Sequence, residues 1–296
     1  MRYFNQFIII SGLFFSSIAY SIDFYADALY WQASETVDWA LTNNLRLPNQ
    51  IIAYKTIDFD FAPGFRVGAG LQKEDWNIRA FYTRYYVQAK ATTQDNVISA
   101  FMPSKFVETF YQTAQVDFTI DYNIFDLDLY KSIPVGESLI LNPLIGLKGG
   151  AINQHVNTGY QGLVSVLEQV TNNFTGIGPK IGLESQWSFY KKNNMQYSLI
   201  AHVATSYMWG KWSIYDTLTR NDSAQIGSVI VGKRDLGALA LQGLVGINVD
   251  YKNFSMNIGY EISDWFNQFQ VFDNATGTHT NDLVLQGATL AFKYRC

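Results

Sequence analysis

The sequence predicts an all-β chain that closes as an antiparallel transmembrane barrel of about ten strands, and three observations lead there. The chain is rich in aromatics, with 19 Tyr, 21 Phe and 7 Trp among 296 residues, while only 16% of its residues are charged; that bias favours strands over helices. Its apolar residues recur at every second position over long segments. Its connections alternate between short turns and longer polar stretches, the habit of a barrel that crosses a membrane repeatedly.

The first 21 residues read as an export leader. Arg2 supplies the positive start, Phe7 to Phe15 a short apolar stretch, and Ala19-Tyr20-Ser21 a small-x-small cleavage site. The apolar stretch falls short of the roughly 20 residues that a spanning helix needs. The mature chain is expected to begin at Ile22, leaving 22–296 as the barrel and the bacterial outer membrane as its location. No later segment is apolar enough for long enough to cross as a helix.

Barrel strands must alternate apolar and polar faces over ~9–11 residues. Over 55–71, Ile57, Phe59, Phe61, Phe65, Val67, Ala69 and Leu71 fall on one face, with Asp58, Asp60 and Arg66 opposite. A helix would leave that segment no apolar face. From Ala114 to Ile124 an apolar face (Val116, Phe118, Ile120, Tyr122) opposes an acidic one (Asp117, Asp121). Further on, Tyr197, Leu199, Ala201, Val203, Thr205 and Tyr207 alternate with Gln196, Ser198, His202 and Ser206. Residues 239–251 and 254–262 alternate likewise on either side of Lys252-Asn253, which makes a tight hairpin. Leu290, Phe292 and Tyr294 close the chain against Thr289, Ala291, Lys293 and Arg295.

Short connections near 72–75, 131–137, 190–194 and 252–253 would be periplasmic turns. The longer stretches near 34–54, 90–111, 154–172, 210–233 and 267–281 would be extracellular loops. This alternation yields ten strands with both ends periplasmic, or twelve if a long loop conceals another hairpin. Tyr30, Trp31, Trp76, Trp187, Tyr207, Trp209, Trp265 and Phe266 would form the interfacial aromatic girdles.

Several functions are excluded or disfavoured. A net charge of −4 and a pI near 5.4 give no footprint for nucleic acid. The single cysteine, Cys296, cannot build a disulfide framework or a thiolate metal site within one chain. Of the three histidines only His202 falls in an expected strand; Ser198 and Ser206 share its face but lie roughly 13 Å along it, too far for nucleophile and base. No G-x-S-x-G elbow and no P-loop occurs. His155 and His279 fall in expected outer loops without ligand spacing. Asp58 and Asp60 lie nearly 7 Å apart on a strand, a spacing that suits a solvated wall. No catalytic residue, cofactor or metal is expected.

The inward candidates are therefore Asp58, Asp60, Arg66, Arg79, Asp117, Asp121, Lys180, Glu184, His202, Asp250 and Glu261. Two readings follow. Opposed charges form a constriction that passes small polar solutes with mild cation preference; or they pair across a narrow lumen and plug it, because ten strands enclose little more than the filled interior of eight. In the second case the barrel is a structural or adhesive surface protein acting through its outer loops, with host surface molecules as partners. Outer-membrane lipids and lipopolysaccharide are expected around the barrel, and a homo-oligomer is compatible with either reading. An outer-membrane enzyme is a remote third.

Four segments also carry a resemblance: Ala28-Leu29-Tyr30-Trp31-Gln32-Ala33, Asn142-Pro143-Leu144-Ile145-Gly146-Leu147-Lys148-Gly149, Asn172 to Lys180, and Trp265-Phe266-Asn267-Gln268 with Leu285-Gln286-Gly287. In this order the chain resembles the Legionella-type pore-forming outer-membrane protein family, similar in role to major outer-membrane proteins. The resemblance implies a pore-forming barrel without cofactor or catalytic residues. Such barrels usually end in an aromatic residue read by the assembly machinery; this chain ends in Cys296, with Phe292 and Tyr294 just before it.

Overall fold

The computed structural model describes residues 21–44, 51–99, 110–222, 226–231, 236–273 and 277–296. All regular structure in them is β. Ten long strands form the wall: β1 (Ser21–Ser34), β4 (Ala62–Lys73), β5 (Trp76–Ser99), β6 (Tyr111–Lys131), β8 (Leu139–Gln161), β9 (Ser165–Lys192), β10 (Met195–Arg220), β12 (Gly237–Tyr251), β13 (Phe254–Asp273) and β14 (Gly277–Arg295). Every neighbouring pair is antiparallel, and β1 pairs with both β4 and β14, so Ala26 stands opposite Val67 on one side and Phe292 on the other. Closure leaves the wall no free edge, as a sheet in hydrocarbon requires. The count is the expected ten; the twelve-strand alternative is not adopted.

Four short strands decorate the wall. β2 (Ala40–Asn44) and β3 (Ile51–Lys55) form a hairpin whose β2 pairs with the far end of β5, and β11 (Ile226–Val231) pairs with β10. β7 (Ile133–Val135) pairs with the start of β8 at the opposite, short-turn end. The short turns fall where the sequence places them, and Glu74, Asn193, Asn194 and Lys252 take the positive φ of tight hairpins. Ser21 and Cys296 meet at the same end, where the Cys296 N–H donates to the Ile22 carbonyl (2.8 Å). The leader expected over 1–21 lies, except for Ser21, outside the described residues.

The wall is far taller than a membrane. β6 has 21 residues, β9 28 and β10 26, so at about 3.3 Å per residue β9 runs roughly 90 Å, and its length is nearly three times the ~9–11 residues that a tilted crossing demands. The side-chain pattern shows where the membrane stops. Along β6 the even residues face inward throughout, from Ala114 to Tyr130. The outward residues are polar from Gln115 to Asn123 and then apolar at Phe125, Leu127 and Leu129. The inward residues change in the opposite sense, from Val116, Phe118 and Ile120 to Asp126 and Asp128. β9 repeats this, with Thr171, Asn173 and Thr175 outward above Ile177, Ile181 and Leu183, and Val170 and Phe174 inward above Lys180 and Glu184. Both strands keep their alternation and exchange the polarity of their faces at the membrane boundary.

This inversion corrects several expectations. Much of the stretches read as outer loops (90–99, 154–161, 165–172, 210–220 and 267–273) is strand, projecting beyond the lipid. A polar outward face disguised them as loops, although their period of two persisted. His155 is consequently in β8 and His279 in β14. Residues 55–71 are not one strand: β3 ends at Lys55, β4 starts at Ala62, and between them Ile57 and Phe59 are buried while Asp58, Asp60 and Phe61 are exposed. Of the expected girdle, Tyr30, Trp76, Trp187 and Trp209 do face outward, but Trp31 and Trp265 are fully inside.

Two glycines of positive φ lie tight against the backbone of a neighbouring strand. A side chain at Gly287 (φ +156°) would place its Cβ 2.2 Å from the Tyr30 carbonyl oxygen, and at Gly150 (φ +149°) 2.1 Å from that of Asn123. Gly287→Ala is therefore expected to lower stability by about 1–3 kcal/mol, the range for forced backbone strain, read as a lower denaturant midpoint of the refolded barrel. An unchanged midpoint would show that the β1–β14 seam yields.

Candidate functional site

The barrel interior is built in two storeys. The lower one, level with the apolar belt, is an ion-pair lattice. Arg66 of β4 is clamped by Asp27 of β1 (3.2 Å) and Glu261 of β13 (2.7 Å). Arg79 of β5 is held between Asp128 of β6 (3.2 Å) and Glu184 of β9. Lys180 of β9 reaches both Asp126 and Asp128 (2.9 Å each), and Lys148 of β8 binds Asp126 at 2.8 Å. Groups from facing strands are thus joined across the lumen, and each buried charge has a partner. Below it, Asp250 accepts from Gln186, Asn248 and Ser255, and Asp23 pairs with Lys293 and Arg295 at the mouth. A cavity of about 220 Å³ lies against Arg66, Lys180, Glu184 and His202, and a second of about 470 Å³ opens beneath it beside Asp250 and Lys293.

The upper storey is an aromatic core. Phe118 packs edge-on against Phe59 (5.0 Å between centroids) and against Phe269 (5.7 Å); Tyr122 packs on Trp265 (5.7 Å) and Phe174 on Trp212 (4.5 Å). Going round the wall from β1 through β4, β6 is the fourth strand and β13 the ninth, so they are diametrically opposed. Rings from opposite walls thus meet across the lumen at that level. Several polar atoms of this core are hydrogen-bonded: Trp31 Nε1 donates to Thr289 Oγ1 (3.2 Å), Tyr85 OH to the Trp31 carbonyl (2.9 Å), and Tyr160 OH to the Trp39 carbonyl (2.7 Å), whereas Nε1 of Trp212 and of Trp265 has no partner.

Of the eleven residues expected to line the lumen, Arg66, Arg79, Lys180, Glu184, His202, Asp250 and Glu261 face inward, and six of these seven enter the polar lattice or the hydrogen bonds beneath it. The seventh, His202, carries an Nε2 without a hydrogen-bond partner. Asp58 and Asp60 sit exposed on the linking segment. Asp117 and Asp121 are on the outer surface, with Lys90 (3.3 Å) and Arg84 (3.5 Å). There the apolar face of β6 turns inward because water, not lipid, lies outside. Asp27, Asp126, Asp128 and Lys148 were not anticipated. The signal for the two aspartates was present, since Asp126 and Asp128 continue the even-numbered face of Ala114–Ile124. Among the described residues no group of three or more His, Cys, Asp or Glu is placed to hold a metal.

Above the membrane, Glu168 of β9 is buried and accepts from Ser99 Oγ (3.1 Å) and Tyr160 OH (3.2 Å). Burial, and then the nearby Asp216, push its carboxyl well above the usual carboxylate range, and burial pushes Asp216 up to about 7. Both groups hold protons in the folded chain at pH values where the unfolded chain has lost them. Stability therefore falls as pH rises from the ordinary carboxylate range through the raised folded values. The barrel is expected to unfold at a higher denaturant concentration near about pH 5 than near about pH 8, with the difference reduced in Glu168→Gln. A pH-independent difference between parent and variant would remove this pair as the cause.

A closed ten-strand barrel with an apolar outer belt and a polar lower interior defines an integral outer-membrane protein of a bacterium. The chain belongs to the family of the Legionella pneumophila major outer membrane protein precursor, whose model matches residues 17–296. No curated protein sequence matches it. Among solved structures it is similar to the outer membrane protease OmpT of Escherichia coli (11% identity, TM-score 0.48, covering 95% of this chain and 99% of that one). It is more distantly similar to the Pseudomonas putida toluene transporter TodX (9%, TM-score 0.31, 95% and 91%). A third likeness is to the transport unit of the autotransporter AIDA-I from Escherichia coli (10%, TM-score 0.29, 99% and 97%). Likenesses this distant say nothing of activity.

Proposed function

We propose that this protein is a plugged outer-membrane barrel that acts at the cell surface through its extracellular extension and does not conduct solutes in its folded resting form. The observation that carries this reading is the contact of opposite walls, Phe118 with Phe269 and Tyr122 with Trp265. Host surface molecules are the partner class this reading expects, and lipid and lipopolysaccharide would cover the outward band that includes Phe125, Ile181 and Leu183. The reading assigns the chain no catalytic step.

A second reading, a pore for small polar solutes, is favoured by one feature: the charged lower storey and its two cavities, which a purely structural barrel does not need. It requires the aromatic core to move aside. Single-channel recording of refolded residues 22–296 in a planar bilayer distinguishes the two. With folding verified by heat-modifiable gel mobility, the expected trace is silent. Stable ohmic steps, with selectivity altered in Glu261→Gln, would overturn the plugged reading and establish the pore.

A further inference from the structure

The chain between β1 and β4 crosses the lumen instead of following the wall, and its hydrogen bonds trace the route. Gln154 of β8 donates through Nε2 to Glu35, and Tyr160 of the same strand donates to the Trp39 carbonyl (2.7 Å). Going round the wall from β1 through β4, β8 is the fifth of the ten strands and β9 the sixth, so these bonds lie across the barrel from β1. β2 then pairs with the far end of β5, Ala40 against Ser99, Leu41 against Ile98 and Thr42 against Val97. The returning segment reaches β4 past Phe59, whose carbonyl accepts from Gln32 Nε2 (2.7 Å). Val37, Trp39, Ala40, Ile57 and Phe59 are buried in the aromatic core. The described residues of this connection, 35–44 and 51–61, form a strap over the extracellular end of the lumen.

The strap is seated on buried carboxyls that face other acids. The charge acting on Glu35 is Asp282 of β14, which in turn acts on Asp264 of β13; the charge acting on Glu168 is Asp216 of β10. Among the described residues no cation faces Glu35 or Glu168, and Oε1 of each is buried without a hydrogen-bond partner. Burial, and then these acids, hold both carboxyls well above the usual carboxylate range, because burying an unpaired charge is far costlier than burying the neutral acid. Tyr160 ties Glu168 to the strap. Its one hydroxyl hydrogen stands before two acceptors, the Trp39 carbonyl (2.7 Å) and Glu168 Oε2 (3.2 Å). A protonated Glu168 leaves that hydrogen to Trp39, since it can itself donate across the same 3.2 Å. An ionised Glu168 takes the hydrogen, and the buried Trp39 carbonyl loses that donor.

We propose that this strap is a lid whose seating is coupled to protonation of Glu35 and Glu168, so that it covers the extracellular end of the barrel in mildly acidic medium and lifts as the pH rises. As a lid it rests on the plugged reading of the lumen, to which it adds the means of opening. Both carboxyls keep their protons while the strap is seated and lose them in the ordinary carboxylate range once it lifts. Seating therefore weakens as pH rises from that range through the raised seated values, by up to about tenfold per pH unit for each group. The described strand pairing that holds the strap to the wall is the three residue pairs with β5, so lifting leaves the ten-strand ladder intact.

The test is maleimide labelling of refolded residues 22–296 carrying Ala40→Cys in a Cys296→Ser background. Each rate is divided by that of the exposed native Cys296 in the parent at the same pH, so that thiol ionisation cancels. The ratio is expected to rise at least about tenfold between about pH 5.5 and about pH 7.5, and to flatten when Glu35→Gln and Glu168→Gln are added together. Ala204→Cys, buried in β10, reports opening of the whole barrel and is expected to stay unlabelled at either pH. If heat-modifiable gel mobility shows that Ala40→Cys does not fold, Val37→Cys takes its place. A flat ratio, a slope unchanged by the two Gln substitutions, or labelling of Ala204→Cys in step with position 40 would overturn the lid. Bilayer recording at about pH 5.5 separates the two readings. Flat labelling with a silent trace overturns the lid alone; ohmic steps while position 40 stays protected overturn the plugged lumen and the lid with it.

Discussion

Arg79→Met is expected to destabilise the barrel by about 3–5 kcal/mol, because it removes the cation paired with Glu184 and one of the two paired with the buried Asp128. Asp128 has a side-chain exposure of 1%, and Arg79 covers the Tyr130 ring with its guanidinium carbon 4.8 Å from the centroid. Lys180 already serves Asp126 and Asp128 together. The triple variant Arg79→Met, Asp128→Asn, Glu184→Gln should recover most of the loss, since removing all the charges also removes the stranded ones. The measurement is the urea midpoint of tryptophan fluorescence in detergent. If the single variant matches the parent, the lattice is solvated and the lower storey is not a closed floor.

Trp31→Ala is expected to cost a similar 3–5 kcal/mol, the range for truncating a buried large aromatic. The indole fills the boundary between the storeys: it packs on Tyr85 (5.9 Å), lies under the Arg66 guanidinium (5.7 Å) and bonds Thr289. Trp31→Phe keeps most of that volume and should recover more than half of the loss. Trp209→Ala, whose ring is 57% exposed on the outer wall, should change the midpoint by less than about 1 kcal/mol. Equal effects at Trp31 and Trp209 would mean that the ring is not held in a packed core. This contrast also checks the polarity inversion, because alternation alone ranks the two tryptophans together as girdle residues.

Of the lumen residues, those in membrane-level segments were legible. Arg66, Lys180, Glu184, His202, Asp250 and Glu261 sit opposite lipid-facing apolar residues, and lipid outside forces the polar partner inward. The error at Asp117 and Asp121 has the same root. Alternation identifies two faces without saying which solvent lies outside, and above the membrane that solvent is water.

The sequence by itself determined a ten-strand wall, its short turns and the strand faces at membrane level, because period-two alternation and positive-φ turn residues act over a few neighbours. Only the tertiary structure decided which face points inward beyond the lipid, and which rings meet across the lumen. Those outcomes depend on closure, which brings Phe118 of β6 against Phe269 of β13 across the barrel, 151 residues apart in the chain, and on the thickness of the surrounding membrane, which sets where water replaces lipid.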